Sequence, residues 1–342
     1  MGYSIKLRVF FKYIRFWPGK KAYGDFTKRS YYCILMAGEL HFIRTRIAPT
    51  PSGYLHLGNV LSFVITVAWA RKTGASILLR IDDLDRERYQ PRYVQDIFDT
   101  LHFLELPWDE GPRNLADLEG QYSQVHRLPL YHEALQALGN NGPVYTCTCS
   151  RSTIHGVTTN SAYPGTCRNK YYPLDAEHAN WRMYTGDSKH LEIRTLPQGT
   201  VTTTLPSSME DFVVRKKDGL PAYQLTSIVD DLHFGVDLIV RGADLWPCTI
   251  AQHYLAAQLP ANNFHQTAFF HHALVTNTDG VKLSKSAGDT SIQSLRKEHN
   301  KPAAIYGLLS KSLGLPEAAH NWETLAAQLP GLLHQPHSID GV

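Results

Sequence analysis

A chain of 342 residues with 43% hydrophobic and 19% charged side chains has ordinary globular composition and is long enough for two or three domains. It has no uninterrupted apolar run near the roughly 18 residues of a membrane span, so the expected compartment is the cytoplasm. The net charge of +3 does not argue for a nucleic-acid-binding body, because residues 1 to 35 hold eight lysines and arginines against Asp25 alone, leaving the remainder net negative.

That first segment is basic and aromatic, without a clean helical or alternating period. It reads as an organelle-type presequence, a tRNA-binding arm or the product of a start codon set too early, and Met36 is the expected true start. Phe42 to Ala48 alternates as a short strand, and a Pro/Ser/Gly turn then leads to Asn59 and an apolar helix from Val60 to about Lys72, stopped by Gly74. Ser76 to Ile81 reads as a second, buried strand, completing a βαβ unit. The turn is Arg46-Ile47-Ala48-Pro49-Thr50-Pro51-Ser52-Gly53-Tyr54-Leu55-His56-Leu57-Gly58-Asn59. Placed between strand and helix, it sets backbone amides and the positive helix end at the sheet's carboxyl edge, where nucleotides bind. There His56 offers an imidazole donor to a phosphate oxygen, and Gly58 a surface without side chain for adenine. Next comes the acidic run Arg80-Ile81-Asp82-Asp83-Leu84-Asp85.

The stretch from about 107 to 219 breaks the pattern with Pro-Gly turns, mixed polar runs and a cysteine cluster, and reads as an inserted subdomain. Cys33, Cys147, Cys149, Cys167 and Cys248 are an odd set, which suggests metal before disulfides. Cys147, Cys149 and Cys167 supply three thiolates, and a closed tetrahedral zinc site needs a fourth ligand. Chemistry alone selects His155, six residues after Cys149. A second unit, again alternating strand and helix, spans Tyr223 to Val229, Leu238 to Arg241, a helix from Asp244 to Leu259, and Phe269 to Val275. Lys282-Leu283-Ser284-Lys285-Ser286 follows the polar turn Asn277-Thr278-Asp279-Gly280. Two lysines three apart on a loop can close over a triphosphate and neutralise the charge that grows there. Short helices around Ile305 to Leu313 and Trp322 to Leu329 complete the chain, and only 56 residues follow Ser286.

The turn at Arg46 to Asn59 resembles the first signature of the glutamyl branch of class I aminoacyl-tRNA synthetases, and Lys282 to Ser286 is similar to their lysine loop. The resemblance covers roughly residues 42 to 315. It implies a Rossmann-like parallel sheet in two halves, with an inserted zinc-bearing α+β subdomain and a short helical C-terminus. The expected divisions are an extension at 1–40, a first catalytic half at 41–106, the insert at 107–219, the second half at 220–275, and a lysine-loop and helical region at 276–342 with no anticodon-binding domain.

The resemblance also assigns roles. Pro49, His56, Gly58, Asn59 and Lys285 are expected to bind ATP with Mg²⁺, with His56, Lys285 and the assisting Lys282 as catalytic groups. Arg46, Ile47, Ala48, Pro49, Thr50, Asp82, Tyr223 and Arg241 are expected to hold glutamate. Asp82 stands where the family usually has Glu, one methylene longer. Two arginines and a phenol suit a carboxylate side chain better than an amide. Asp230 and Asp231 also resemble family positions, with a structural role weighed equally. For the zinc, Tyr163-Pro164-Gly165-Thr166-Cys167 resembles the Tyr and Cys pair of the branch's truncated paralogues, which points to Tyr163 over His155 and to one structural Zn²⁺ per chain. Those paralogues also end soon after the lysine loop. They imply a monomer that activates glutamate and transfers it to queuosine at the wobble position of tRNA(Asp). Charging a tRNA 3′ end and non-catalytic binding of ATP or RNA are the competing expectations.

Overall fold

The computed structural model describes residues 40–155, 162–186, 190–275 and 291–329. Met36 and the segment before it lie outside these residues. The first unit is β1 (Arg44–Ile47), α1 (Leu57–Thr73) and β2 (Ser76–Leu79), followed by α2 (Pro91–Phe103). The insert holds α3 (Leu128–Asn141), β3 (Val144–Cys147), β4 (Asn180–Met183), β5 (Leu191–Thr195), β6 (Gly199–Thr203) and β7 (Val213–Arg215). Then come α4 (Tyr223–His233), β8 (Leu238–Gly242), α5 (Trp246–Ala256) and β9 (Ala268–His272). Beyond the lysine-loop segment lie α6 (Ile292–Glu298), α7 (Pro302–Ser312) and α8 (Trp322–Gln328).

Among the described residues the main sheet has six strands in the order β2-β1-β8-β9-β5-β6. Neighbours from β2 through β5 run parallel, and β6 pairs antiparallel with β5. Two expectations are corrected here. Strands of the two halves do form a parallel array, β2-β1-β8-β9, but the sheet as a whole is mixed, because the chain within the insert returns to it as β5 and the antiparallel β6. Only β3, β4 and β7 form the insert's own antiparallel sheet. Likewise, the Tyr223 to Val229 segment is not the strand that the alternation implies but the start of α4. Its apolar residues Leu225 and Ile228, three apart, fill one buried helix face.

Alternation along the central strands separates two cores. Leu238 and Val240 of β8, with Ala268 and Phe270 of β9, face the layer that holds α1, whereas Ile239 and Phe269 face α4 and α5. Helix α1 is apolar nearly all round, and such a helix must be covered all round. Residues of α7 and α8, including Ile305, Leu309 and Leu325, complete the core on its outer side. Gly74 ends α1 at φ 75°, a left-handed C-cap that costs glycine little.

This arrangement sets a switch point. The crossover from β1 passes through α1 to β2 on one face, and that from β8 passes through α5 to β9 on the other. The chains therefore diverge at the carboxyl ends of β1 and β8, which leaves the crevice where ligands bind in open α/β sheets. No described helix is long and apolar enough to cross a membrane. Because α7 lies in the core, Leu309→Ala is expected to cost about 2–5 kcal/mol, read as a lower urea midpoint; a change below about 0.5 kcal/mol would show that the helix is not part of that core.

Candidate active site

A cavity of about 350 Å³ opens at the switch point. Arg46, Ile47, Ala48, Pro49 and Thr50 continue β1 along one wall, and Val240, Arg241 and Gly242 end β8 on the other. Asp82, Tyr223, His56 and Asn59 also line it. The residues expected to hold glutamate are thus gathered around one space, together with Pro49, His56 and Asn59 of those expected at ATP. Gly58 lies one step behind: a Cβ there would come 3.0 Å from His56 Cε1, so the absent side chain leaves room for the imidazole. Lys282 and Lys285 lie outside the described residues. Ser62 and Thr66 also line the cavity and were missing from the sequence reading. Their signal is a polar stripe, His56-Asn59-Ser62-Thr66, at helical spacing along an otherwise apolar α1.

His56 is the N-cap of α1 in extended backbone. Its Nδ1 accepts the Gly58 N–H at 3.1 Å, while the Asn59 side-chain oxygen accepts the His56 N–H at 3.0 Å. This capping box fixes the ring. Accepting at Nδ1 leaves the neutral imidazole's proton on Nε2, a donor beside the positive end of the helix. The expected helix start at Val60 therefore moves back to Leu57, which brings the whole His-Leu-Gly-Asn sequence into the cap and first turn.

Beneath the cavity lies a buried charge network. Arg80 grips Asp82 with Nε to Oδ1 at 2.7 Å and Nη2 to Oδ2 at 3.2 Å, and its Nη1 donates to Asp231 Oδ1 at 2.7 Å. Arg46 Nε shares the same Asp231 oxygen at 3.3 Å. Asp230 accepts Arg127 Nε at 2.7 Å, the Tyr131 hydroxyl at 2.6 Å and Gln124 Nε2 at 2.9 Å. Burial pushes the Asp82 carboxyl up, and Arg80 only partly offsets it. Burial also acts to raise Asp230, but Arg80 and Arg127 outweigh it and hold that carboxyl below the ordinary range. The Arg46 guanidinium is brought down to about 10, first by burial and then by the charges of Arg241 and Arg80, with Asp231 opposing. Arg46 remains charged near neutral pH. Asp82 is accordingly a cavity wall already chelated by an arginine rather than a solvated strand end. Asp230 and Asp231 lie beneath the cavity wall as counter-charges.

Arg241 differs from these arginines. Its Nη1 donates to Gln252 Oε1 at 3.0 Å and Thr249 Oγ1 at 3.3 Å, both neutral acceptors. Its Nε and Nη2 have no hydrogen-bond partner among the described residues, although the side chain is only 4% exposed.

The cysteine cluster forms a separate centre. The sulfurs of Cys147, Cys149 and Cys167 all lie within 4.8 Å of one another, with Cys149 and Cys167 at 3.6 Å. Tyr163 places its hydroxyl 3.3 Å from Cys147 Sγ and 4.0 Å from Cys149 Sγ, and accepts the Cys167 N–H at 2.9 Å. Thiolates bound tetrahedrally at about 2.3 Å from zinc stand roughly 3.8 Å apart, which is the scale of this cluster. Burial raises the Cys149 thiol to about 11, whereas hydrogen bonds from the Thr148 backbone and Tyr163 outweigh burial at Cys167 and lower it to about 7. Asp211 braces both arms: it accepts the Tyr145 hydroxyl at 2.5 Å and Arg168 Nε at 2.9 Å. The side chain of His155 lies outside the described residues.

A family model for tRNA synthetases class I (E and Q), catalytic domain, matches residues 42–322. The chain is 34% identical over 290 residues to the glutamyl-Q tRNA(Asp) synthetase of Nitratidesulfovibrio vulgaris, covering 80% of this chain and 87% of that protein. It is 37% identical over 281 residues to the protein of the same name from Nocardia farcinica, covering 79% and 85%. Similarity to the glutamate–tRNA ligase of Anaeromyxobacter sp. is 32% over 273 residues, and there the match spans 78% of this chain but 56% of the relative. Among solved structures, glutamate-tRNA synthetase from Elizabethkingia anophelis superposes with a TM-score of 0.66 at 20% identity, over 84% of this chain and 66% of that one. That likeness bears on fold alone.

Removing one partner from a buried ion pair leaves an uncompensated charge, so Asp230→Ala is expected to destabilise the protein by about 3–5 kcal/mol. The pH dependence has a definite sign. A carboxyl whose folded pKa is depressed contributes fully above the ordinary aspartate value of about 3.9, and that contribution is lost as pH falls through the lower folded value. Urea denaturation of both proteins between pH 7 and pH 3 should show the gap narrowing only at the acid end; a gap that closes between pH 7 and 5 would assign the effect to other groups.

Proposed function

This chain belongs to the class I tRNA synthetases of the glutamate and glutamine branch, and from that membership we propose that it activates L-glutamate with ATP and transfers it to queuosine in tRNA(Asp). Arg241 carries the choice of amino acid. It is a buried guanidinium in the cavity wall with no carboxylate partner among the described residues and a two-N–H edge without acceptors. Arg46, Arg80 and Arg127 each have an aspartate, so four cations stand against Asp82, Asp230 and Asp231. A substrate carboxylate supplies the missing charge and both missing acceptors. A glutamine side chain would supply one acceptor and turn an NH₂ group toward the guanidinium. Tyr223, at the start of α4, adds a phenol at the cavity wall.

Asp82 holds the substrate ammonium in this reading. Arg80 occupies one lone pair on each of its oxygens, and a carboxylate has about four acceptor sites, so room remains for an N–H donor. The α-carboxylate oxygen attacks the α-phosphorus of ATP, and the P–O bond to pyrophosphate breaks as the glutamyl adenylate forms. His56, with Nε2–H and the first turn of α1, donates to the phosphates, and Lys285 with Lys282 offsets the growing negative charge. Mg²⁺ enters with ATP and supplies further counter-charge. In the second step a hydroxyl of the queuosine cyclopentenediol attacks the activated carbonyl and AMP leaves. The relatives that carry this activity in their names, at 34–37% identity and matched over 85–87% of their length, support this acceptor.

Cys147, Cys149, Cys167 and Tyr163 are proposed to hold one Zn²⁺, which would brace the insert and take no part in the reaction. Protein purified without chelator is expected to contain about one equivalent of zinc, reduced in Cys167→Ser; less than half an equivalent in the parent protein would count against the site.

The activity test has two stages. Pyrophosphate exchange should depend on glutamate and not on glutamine, without tRNA. Labelled glutamate should then pass to tRNA(Asp) bearing queuosine but not to tRNA(Asp) lacking it. Transfer to the 3′ end of tRNA(Glu) instead would overturn the acceptor, and absence of exchange would overturn the activation step.

A further inference from the structure

Arg241 lines the cavity, its Nε and Nη2 have no hydrogen-bond partner among the described residues, and the residues that hold its Nη1 lie on α5. Nη1 has two hydrogens, and both are used: one meets Gln252 Oε1 at 3.0 Å and the other Thr249 Oγ1 at 3.3 Å. The Thr249 oxygen that accepts from Arg241 is itself held, 3.2 Å from Leu245 O and 2.9 Å from His271 Nε2. Burial, then the Arg241 charge, keeps that ring neutral, and it adds no second cation. Phe269 lies under the guanidinium, 5.3 Å from ring centroid to Cζ. Arg241 is thus fixed in orientation by acceptors that carry no charge.

We propose that Gln252, with Thr249, is the positioning residue that keeps the Arg241 charge uncompensated and its Nε/Nη2 edge turned toward the substrate, so that the site selects a carboxylate over an amide. The proposal rests on the reading above that Arg241 holds the substrate side chain. Gln252 is fully buried, and its Nε2 has no partner among the described residues, so the side chain has a single evident task. A glutamate of the same shape would bind Arg241 more strongly, as aspartates bind the three neighbouring arginines. An amide there gives up that ion pair. What it preserves is a full positive charge for a ligand in a water-poor site, where desolvated charge has its largest effect.

Gln252→Glu tests this directly, because it keeps the volume and supplies a carboxylate. The expected result is a rise of about 100-fold in KM for glutamate in pyrophosphate exchange. Glutamine should lose much less, so the glutamate-to-glutamine ratio of kcat/KM should fall by at least about 10-fold. KM for ATP should stay within about twofold of the parent value, since the new charge lies at the amino-acid end. Gln252→Met, which removes the acceptor without adding charge, should raise KM for glutamate while keeping glutamate preferred over glutamine. Arg241→Ala is measured alongside. If that variant leaves KM for glutamate unchanged, the binding role of Arg241 fails and this inference fails with it. If Arg241→Ala raises KM but Gln252→Glu folds normally and leaves the selectivity ratio at the parent value, the role of Gln252 alone is overturned.

Discussion

Arg80 lies at the end of β2 with its guanidinium wholly inside the protein, and much of the surrounding architecture follows from the need to satisfy it. A buried cation without counter-charge costs several kcal/mol. Arg80 meets Asp82 on its own strand end and Asp231 from α4, with Asp230 close by. Asp230 in turn is held by Arg127 and Tyr131, from the stretch that opens the insert. One chain of ion pairs thus joins the first βαβ unit, the base of the insert and the second half of the sheet. It passes directly under the cavity, so the cavity walls inherit its rigidity. Asp83 extends it outward, accepting Gln124 N at 2.7 Å and the Ser123 hydroxyl at 2.6 Å.

The network also decides where charge is available. Arg46 shares Asp231 with Arg80, and Asp230 satisfies Arg127. Arg241 stands in the same desolvated region but is supported by a glutamine and a threonine. The excess positive charge of the region is therefore localised on one side chain of the cavity wall. Electrostatic preference in a site of this kind depends less on how many arginines it has than on which of them remain unpaired.

The local elements were legible because local signals define them. The βαβ order, Gly74 as helix stop, the apolar run of β8 and the grouping of Cys147, Cys149 and Cys167 each leave a short-range mark in composition or spacing, whereas Tyr163 was indicated only by the family resemblance. The return of the insert to the main sheet as β5 and β6 leaves none: pairing of Thr195 with Phe269 joins residues far apart in sequence, and nothing near Leu191 announces that partner. Tyr223 to Val229 was ambiguous for another reason, since a short apolar run does not separate strand from helix by period alone. The ion-pair network was the least legible part. Arg127 looks like any helix-flanking cation until α4 brings Asp230 beside it.

Asp82 shows how such hidden context changes the meaning of a residue. Considered by itself, its short side chain is a shortfall of one methylene against the longer Glu that the family resemblance leads one to expect. In the folded protein that length matches a two-point grip by Arg80, with Nε and Nη2 each facing one oxygen. The grip keeps the carboxylate at the cavity wall with a fixed orientation and leaves acceptor sites on both oxygens. It also offsets part of the negative charge that Asp82 presents to the cavity. Arg241, which lines the same cavity, has no carboxylate partner among the described residues. The cavity lining thus combines a carboxylate already gripped by one arginine with a guanidinium supported only by neutral acceptors among the described residues.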